Sequence, residues 1–504
     1  MAELVDAPDS KSGAFGRSGS TPDIPTIDMM KQDYSKKIKI KNLNYIDPLE
    51  VLKRFQDYSE IVFLDSAGKY KKNNRFSYIA IDPVHSYKIK NTNCNNIFNK
   101  KDEKDIKQLL RKNIFKKKKS LPEFQCGLAG YISYDHCLGI ENVKKINKKK
   151  PLLHNLYLGV FDIVIAFDLK LKRSYLYSYN LDDIYFKNVK LDHRSRRQKI
   201  INLYSVPRIS NQNIDNIGFK WKSELTKQNY LKKIKKILNY IRSGDIFQVN
   251  FTQRFTSSIP KDFSSIFYYL TYREKTSTPF SAFIKHDKTS ILSYSPERFL
   301  KVNQNRILTS PIKGTIRRGG NIDSDKKLKN ELLNSSKDHA ENLMIVDVLR
   351  NDMSKVSSQG SVKVKKLAEL ETYRNVHHLV SSIESKLSNG KDVIDLLNAS
   401  LPGGSITGAP KIRAMEIISE LEKNNRGVYC GTIGYISFSG QSDFNIPIRT
   451  ITVTENLAYL NSGGGIVYDS NPEKEYKELM SKVSNLFMKK NQKSKIANKR
   501  DAKK

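Results

Sequence analysis

LTKQNYLKKIKKILNYIRSGDIFQVNFTQRF, residues 225–255, joins a helical period to a strand-like run. Tyr230, Ile234, Ile237 and Ile241 recur every three or four residues, which predicts an amphipathic helix over 225–245 closed by Gly244. FQVNFTQRF (247–255) reads as a strand. Working outward, AFIKH (282–286) and TSILSYSPERFL (289–300) read as strands, and helices follow up to EKEYKELMSKVSNLFMKK (473–490). Upstream, IVFLDSA (61–67), RFSYIAID (75–82), LAGYISY (128–134) and LGVFDIVIAFDL (158–169) also read as strands. Helices and strands interleave with neither a βαβ unit nor an internal repeat. The expected class is α+β, with large antiparallel sheets in layers flanked by helices, rather than a doubly wound sheet.

The organisation expected is a disordered leader over 1–35, an N-terminal domain over 36–215, a second domain over 222–490, and a disordered basic tail over 491–504. The opening MAELVDAPDSKSGAFGRSGSTP has the character of a spurious upstream extension, with Met29 or Met30 as the alternative start. The stretch from Asp182 to Asn213 is polar and contains a linker-like segment.

Composition narrows the class. With 504 residues, 38% hydrophobic, including 22 Phe and 26 Tyr, the chain can bury a large core. No apolar run approaches the roughly 18–20 residues that span a bilayer, so no membrane association is expected. Four scattered cysteines, Cys94, Cys126, Cys137 and Cys430, form no disulfide framework, and the leader lacks a signal-peptide core; a cytoplasmic location is expected. The formal net charge of +36 is carried mainly by lysine in short runs without interleaved aromatics. That pattern reads as solvated surface, and no specific nucleic-acid partner is expected.

Two acidic pairs stand out on this basic background. Asp338 and Glu341, in DHAENLMIVDVLRND (338–352), and Glu475 and Glu478, in NPEKEYKELMSKV (471–483), are each spaced i,i+3 and so share one helix face. Four carboxylates converging from two helices suit a hard cation such as Mg²⁺. The alternative is two solvated faces paired with Lys474 or Lys477. Two glycine-rich segments add weaker signals. LPGGSITGAPK (401–411) enters an apparent helix, where unpaired N–H groups suit an anion, but it lacks the order of a nucleotide-binding loop. NSGGGIVYDS (461–470) follows a strand and allows close backbone approach to a ligand. Either segment is also compatible with a tight turn.

Taken in order, SGDIFQVNFTQRF (243–255), SYSPERFL (293–300), PIKGTIRRG (311–319), DHAENLMIVDVLRND (338–352), VHHLVSSI (376–383), PGGSITGAPKIRAMEII (402–418), YCGTIGYISF (429–438), IPIRTITV (446–453) and SGGGIVYDS (462–470) resemble the chorismate-utilising enzymes. That family includes anthranilate synthase component I, the isochorismate and salicylate synthases, and enzymes that aminate chorismate at C4. The resemblance covers nearly all of 225–490 and weakens upstream. It implies Mg²⁺ ligation by Glu341 and Glu478, with Glu475 and Asp338 acting through water. It further implies that Tyr429, Arg449, Lys482 and the backbone N–H groups of Gly464 and Gly465 bind the enolpyruvyl carboxylate. His378 and Ser405 would line the ring, and Glu297 would serve as general acid/base for the leaving hydroxyl.

Two positions separate the branches. The water-adding enzymes carry a lysine where this chain has Gln248, so the resemblance implies amination. Anthranilate synthases carry alanine where this chain has Lys313; the C4-aminating branch commonly carries lysine there. A lysine nucleophile at C2 redirects ammonia to C4, whereas direct attack of ammonia on C2 leads to anthranilate. C4 amination through a covalent Lys313 intermediate is therefore expected, with C2 amination as the alternative. A basic nucleic-acid-binding protein on an inactive chorismate fold is a third reading, for which the acidic pairs and Arg449 would have no use. No glutaminase nucleophile motif is present, since Cys126 lacks its context, so ammonia is expected from a separate glutamine amidotransferase subunit. Finally, FLDSAGKYKKNNRFSYIAIDP (63–83) resembles a segment that forms a tryptophan pocket in several family members. Asp65 and Ser66 would line it with Pro279 and Phe280, although LDS departs from the more acidic feedback motif.

Overall fold

Thr226 starts the helix expected near residue 225, its hydroxyl accepting from Asn229 N at 3.3 Å. The helix runs Lys227–Arg242 and buries Tyr230, Ile234, Ile237, Leu238 and Ile241. Each such side chain contributes about 1.5–3 kcal/mol on leaving water. Gly244 closes it with φ +81°, a left-handed conformation that costs glycine nothing. The strand that follows is Gln248–Ser258. The structure is a computed structural model and describes residues 38–67, 75–90, 95–118, 120–144, 146, 151–181, 192–207, 219–276, 278–372 and 376–487. The expected leader, the basic tail and parts of the Asp182–Asn213 stretch lie outside these residues.

Two large antiparallel sheets dominate, as the α+β reading requires. The 12-stranded sheet runs in the order Ile38–Leu43, Arg173–Tyr179, Ile163–Asp168, Phe76–Ile81, Ile61–Asp65, Phe280–His286, Thr289–Ser295, Thr450–Val453, Leu457–Ile466, Gln248–Ser258 and Gly408–Ala409, with Lys222–Ser223 also on Gln248–Ser258. The 10-stranded sheet runs Ile312–Arg317, Val376–Lys386, Arg306–Thr309, Arg298–Asn303, Gln441–Asn445, Thr432–Ser437, Gly127–Ile132, Leu156–Phe161 and His85–Ile89, with Lys363–Thr372 on Val376–Lys386. Each sheet draws strands from both sides of the 215/222 boundary: Ile61–Asp65 pairs with Phe280–His286, and Gly127–Ile132 with Thr432–Ser437. One hydrophobic cluster, from Ile38 to Val483, is continuous through both halves. Among the described residues no helix is long and apolar enough to cross a membrane.

Two runs read as single strands are each two. LGVFDIVIAFDL divides at Asp162 into Leu156–Phe161 and Ile163–Asp168, which belong to different sheets. The break is pinned by Arg196, whose guanidinium donates to the Asp162 carboxylate at 2.8 and 3.0 Å. TSILSYSPERFL divides likewise into Thr289–Ser295 and Arg298–Asn303, again in different sheets. Hydropathy cannot reveal such a crossing, because both strands are apolar on the side that faces the shared core. Glu297 lies in the second crossing, between the sheets.

Candidate active site

The crossing at Glu297 is held by backbone bonds: Ile446 N donates to Glu297 O at 3.2 Å, and Glu297 N donates to Ser295 Oγ at 3.2 Å. The side chain is buried and accepts from Ser405 Oγ at 2.8 Å. Burial pushes its carboxyl above the ordinary range, while the Ser405 bond and the charge of Lys313 draw it back. A carboxyl held in this way keeps its proton to a higher pH, which suits a general acid.

Lys313 lies on Ile312–Arg317, at one edge of the 10-stranded sheet. The register against Val376–Lys386 shifts between Lys313 and Thr315, at Gly314 with φ +80°. The bulge re-aims the strand, and a Cβ at Gly314 would come to 3.1 Å from Asp338 Cβ. The strand therefore packs directly on the first turn of the helix Ser336–Ser354, which is capped by Ser335 Oγ accepting from Asp338 N at 3.2 Å. Lys313 is half-buried here, and its charge acts on both Glu297 and Glu341.

Glu341 and Glu478, one from each acidic pair, are near enough for their charges to interact. Burial raises Glu341, Lys313 and Lys337 lower it, and Asp338 and Glu478 raise it further. Burial also raises Glu475, opposed by a 2.8 Å bond from Ser470 Oγ and reinforced by Glu478. Carboxylates that raise one another's proton affinity across two helices are a set that a hard cation relieves, so the residues fit Mg²⁺. The cation that reaches Glu478 is Lys482 Nζ, at 2.8 Å, which also donates to Gly463 O at 3.0 Å. The carboxylates do not converge tightly: among the described residues the only group of three potential metal ligands within 4.8 Å is His154, His286 and Asp287, elsewhere in the fold.

The glycines of SGGGI do not follow a strand; they continue one, Leu457–Ile466. Gly463, Gly464 and Gly465 pair with Thr252, Phe251 and Asn250. On the other side the Thr450–Val453 strand pairs only as far as Leu460, so among the described residues the glycine backbone has an edge with no strand partner. Arg449 immediately precedes Thr450 and sits where that edge opens, with φ +54°. Protein surrounds its guanidinium closely enough for burial to lower its pKa, yet the side chain keeps an exposed face. A guanidinium so placed has the fork geometry that suits a carboxylate. A Cβ on Gly464 would lie 3.4 Å from Glu475 Oε2 and 3.7 Å from Lys482 Nζ, whereas one on Gly465 would meet Gln248 Nε2 at 2.2 Å. Gln248 is 1% exposed, and neither its amide oxygen nor its nitrogen has a partner among the described residues. An unsatisfied buried amide costs about 1–3 kcal/mol, a cost that a polar partner at this position would relieve.

His378 pairs across the bulge, its Nδ1 2.7 Å from Thr315 Oγ1. Burial first, then the charge of Arg449, lowers it to about 4, so the imidazole is neutral at physiological pH. Its neighbour His377 is occupied by Thr372 at 2.9 Å and Asp325 at 3.1 Å, a structural role. Tyr429 is buried beside Cys430, and burial raises both; Cys430 in turn senses Glu297. Sequence reading missed Arg426. It is 2% exposed and donates to Glu422 at 2.7 Å, Asn250 O at 2.6 Å and Ile406 O at 3.1 Å, tying the Ser405 loop to the Gln248 strand. Nothing in the spacing of NNRGVYC marks it. Thr315 was also missed, although it stands two residues after Lys313.

A separate cavity of about 290 Å³ lies between the sheets, beyond the crossing. Asp65, Ser66, Pro279 and Phe280 all line it, as do the ion pairs Arg298–Asp443 at 3.0 Å and Lys301–Glu123 at 2.7 Å. Asp65 is engaged by Arg273 and by Tyr269 Oη at 3.0 Å. Neither Lys313, Glu297 nor any of the four carboxylates borders this cavity.

A family model described as chorismate binding enzyme matches residues 60–488. The chain is 40% identical over 364 residues to aminodeoxychorismate synthase component 1 of Escherichia coli (strain K12), covering 72% of this chain and 77% of that protein. It is 32% identical over 461 residues to anthranilate synthase component 1 of Aquifex aeolicus (strain VF5), covering 87% and 91%. Among solved structures, anthranilate synthase component I from Streptococcus pneumoniae TIGR4 superposes with a TM-score of 0.71 at 28% identity, covering 83% of this chain and 95% of that one.

Proposed function

The chain belongs to the chorismate-binding enzyme family, and we propose that it aminates chorismate at C4 to give 4-amino-4-deoxychorismate. The observation that carries this reading is the placement of Lys313, a half-buried amine whose charge acts at once on the candidate acid Glu297 and the candidate metal ligand Glu341. The 40% identity to a protein named aminodeoxychorismate synthase component 1, against 32% to an anthranilate synthase component, supports the same branch.

In the proposed reaction the Lys313 amine attacks C2, both ring double bonds shift, and the C4 hydroxyl departs as water with a proton from Glu297. Ammonia then attacks C4, the double bonds shift back, and the C2–N bond to Lys313 breaks to restore the amine. Arg449, Lys482, Tyr429 and the open edge at Gly464 and Gly465 bind the enolpyruvyl carboxylate. The neutral His378 and Ser405 line the ring, and the orphaned Gln248 amide offers both a donor and an acceptor to substrate. Glu341 and Glu478, supported by Glu475 and Asp338, would hold Mg²⁺, which supplies charge neutralisation at the ring carboxylate and the leaving hydroxyl.

The name component 1 belongs to relatives that work with a second component. We take that component here to be a glutamine amidotransferase subunit delivering ammonia in the cytoplasm, with the product passing to 4-aminobenzoate and folate synthesis. The cavity at Asp65, Ser66, Pro279 and Phe280 is proposed to take tryptophan. The deciding test is incubation of the purified chain with chorismate, Mg²⁺ and ammonium salt, followed by product identification. Nitrogen at C4 is expected, with loss of turnover in EDTA and recovery on adding Mg²⁺; anthranilate as sole product would overturn the C4 assignment.

A further inference from the structure

His154, His286 and Asp287 come together where the two sheets meet. His286 ends the Phe280–His286 strand of the 12-stranded sheet, and Asp287 sits in the following hairpin turn with φ +48°. His154 lies two residues before Leu156–Phe161 of the other sheet. Asp287 Oδ2 is 3.4 Å from His286 Nδ1 and 3.8 Å from His154 Nδ1, and one ligand atom from each residue lies within 4.8 Å of the other two. Ligands held at about 2.0–2.2 Å around a tetrahedral ion are about 3.3–3.6 Å apart, so this spacing needs little contraction. Asp287 stands at the far end of Thr289–Ser295 from Glu297, a separation of about 20 Å along the strand.

Hydrogen bonding assigns the protons. Tyr131 Oη is 2.9 Å from His154 O and 2.9 Å from His286 Nε2. A phenol has one proton, and a carbonyl can only accept, so the hydroxyl donates to His154 O. His286 Nε2–H must then donate to the Tyr131 oxygen. A neutral His286 consequently turns the bare lone pair of Nδ1 towards a carboxylate oxygen. The ring is 0% exposed and stacked on Tyr157 with centroids 4.3 Å apart, without the water that an imidazolium resolving the conflict would need. A cation between the two lone pairs resolves it instead.

We propose that His154, His286 and Asp287 form a site for a borderline divalent cation such as Zn²⁺, which clamps the two sheets together away from the chorismate site. Two nitrogens and one carboxylate oxygen, with a fourth position open to water, are the donor set such ions take. Tyr131 acts as the positioning residue that fixes the His286 tautomer. The other charges facing the site are Lys88, Glu60 and Lys90. Lys88 Nζ is 2.8 Å from Asp287 Oδ1 and 2.7 Å from Glu60 Oε1, which leaves Oδ2 for the metal, and both lysines bear on His154.

The test is titration of the metal-free full chain with Co²⁺ under saturating Mg²⁺, read by the visible absorption of tetrahedral cobalt, with a parallel Zn²⁺ thermal-shift series. One equivalent bound in tetrahedral form and a raised Tm with Zn²⁺ are expected. His154→Ala and Asp287→Asn should each weaken binding about 100-fold or more, and Tyr131→Phe about 10–100-fold. Lys88→Met removes an opposing cation and should tighten binding about tenfold. Turnover of chorismate without added cobalt should persist in the His154→Ala and Asp287→Asn variants, showing that they fold. No stoichiometric tetrahedral binding, or binding unaltered in those two variants, would overturn the proposal.

Discussion

Lys313 illustrates how little a side chain's identity says without its neighbours. In a chain with 88 lysines and arginines, one more lysine reads as surface charge. The bulge at Gly314 instead packs its strand on the helix that carries Asp338 and Glu341. We expect Lys313→Ala to lose about 10²–10⁴-fold in C4 amination, measured by product chromatography, with some nitrogen appearing at C2. Glu297 permits a prediction of sign. Its folded pKa is raised, chiefly by burial, so its contribution to stability is full below the unfolded value near about 4.3 and is lost as pH rises through the folded value. Glu297→Gln should therefore gain Tm relative to the parent as pH rises from 4 to 8, while losing about 10²–10⁴-fold in kcat. A Tm difference that does not change with pH would show that the carboxyl is not strained by burial.

At the scale of elements, the glycine strand separates folding from binding within three consecutive positions. A Cβ at Gly463 would fall 2.1 Å from Phe251 O, a backbone atom that cannot yield without opening the sheet. A Cβ at Gly464 would meet only side-chain ends at 3.4 and 3.7 Å. Gly463→Ala should cost about 2–4 kcal/mol in urea unfolding. Gly464→Ala should stay within about 1 kcal/mol of the parent but raise KM for chorismate, because its face carries Glu475 and Lys482. The i,i+3 spacing of the acidic pairs put each pair on one helix face, but spacing alone left solvated faces as the alternative. The split of SYSPERFL between two sheets was not legible, because a change of sheet leaves hydropathy unaltered.

For the whole molecule, the interleaving of the halves has a consequence for dissection. The Ile61–Asp65 strand has its partners in Phe76–Ile81 and Phe280–His286, and Gly127–Ile132 pairs with Thr432–Ser437. A fragment ending near residue 207 would expose those strand edges and half of a shared core. We expect fragments 38–207 and 219–487, made separately, to lack cooperative unfolding by circular dichroism and chorismate turnover. Cooperative melting of either fragment alone would show that the halves are independent domains.

By itself the sequence determined the α+β class, the helix that opens 225–255, the acidic pairs, the family and the residues expected to serve chorismate, because these are written in local period, spacing and contiguous blocks. Tertiary structure alone decided that, among the described residues, the glycines form a strand with one open edge and the Gln248 side-chain amide beside Gly465 has no partner, and that Glu297 sits at a sheet crossing. It also placed Asp65, Ser66, Pro279 and Phe280 on one cavity, and His154 against His286. The physical reason is common to all of these. Burial, lone-pair conflict and the end of a strand pairing depend on what a distant segment brings alongside, and in an antiparallel sheet that partner is set by topology rather than by the residues next in the chain.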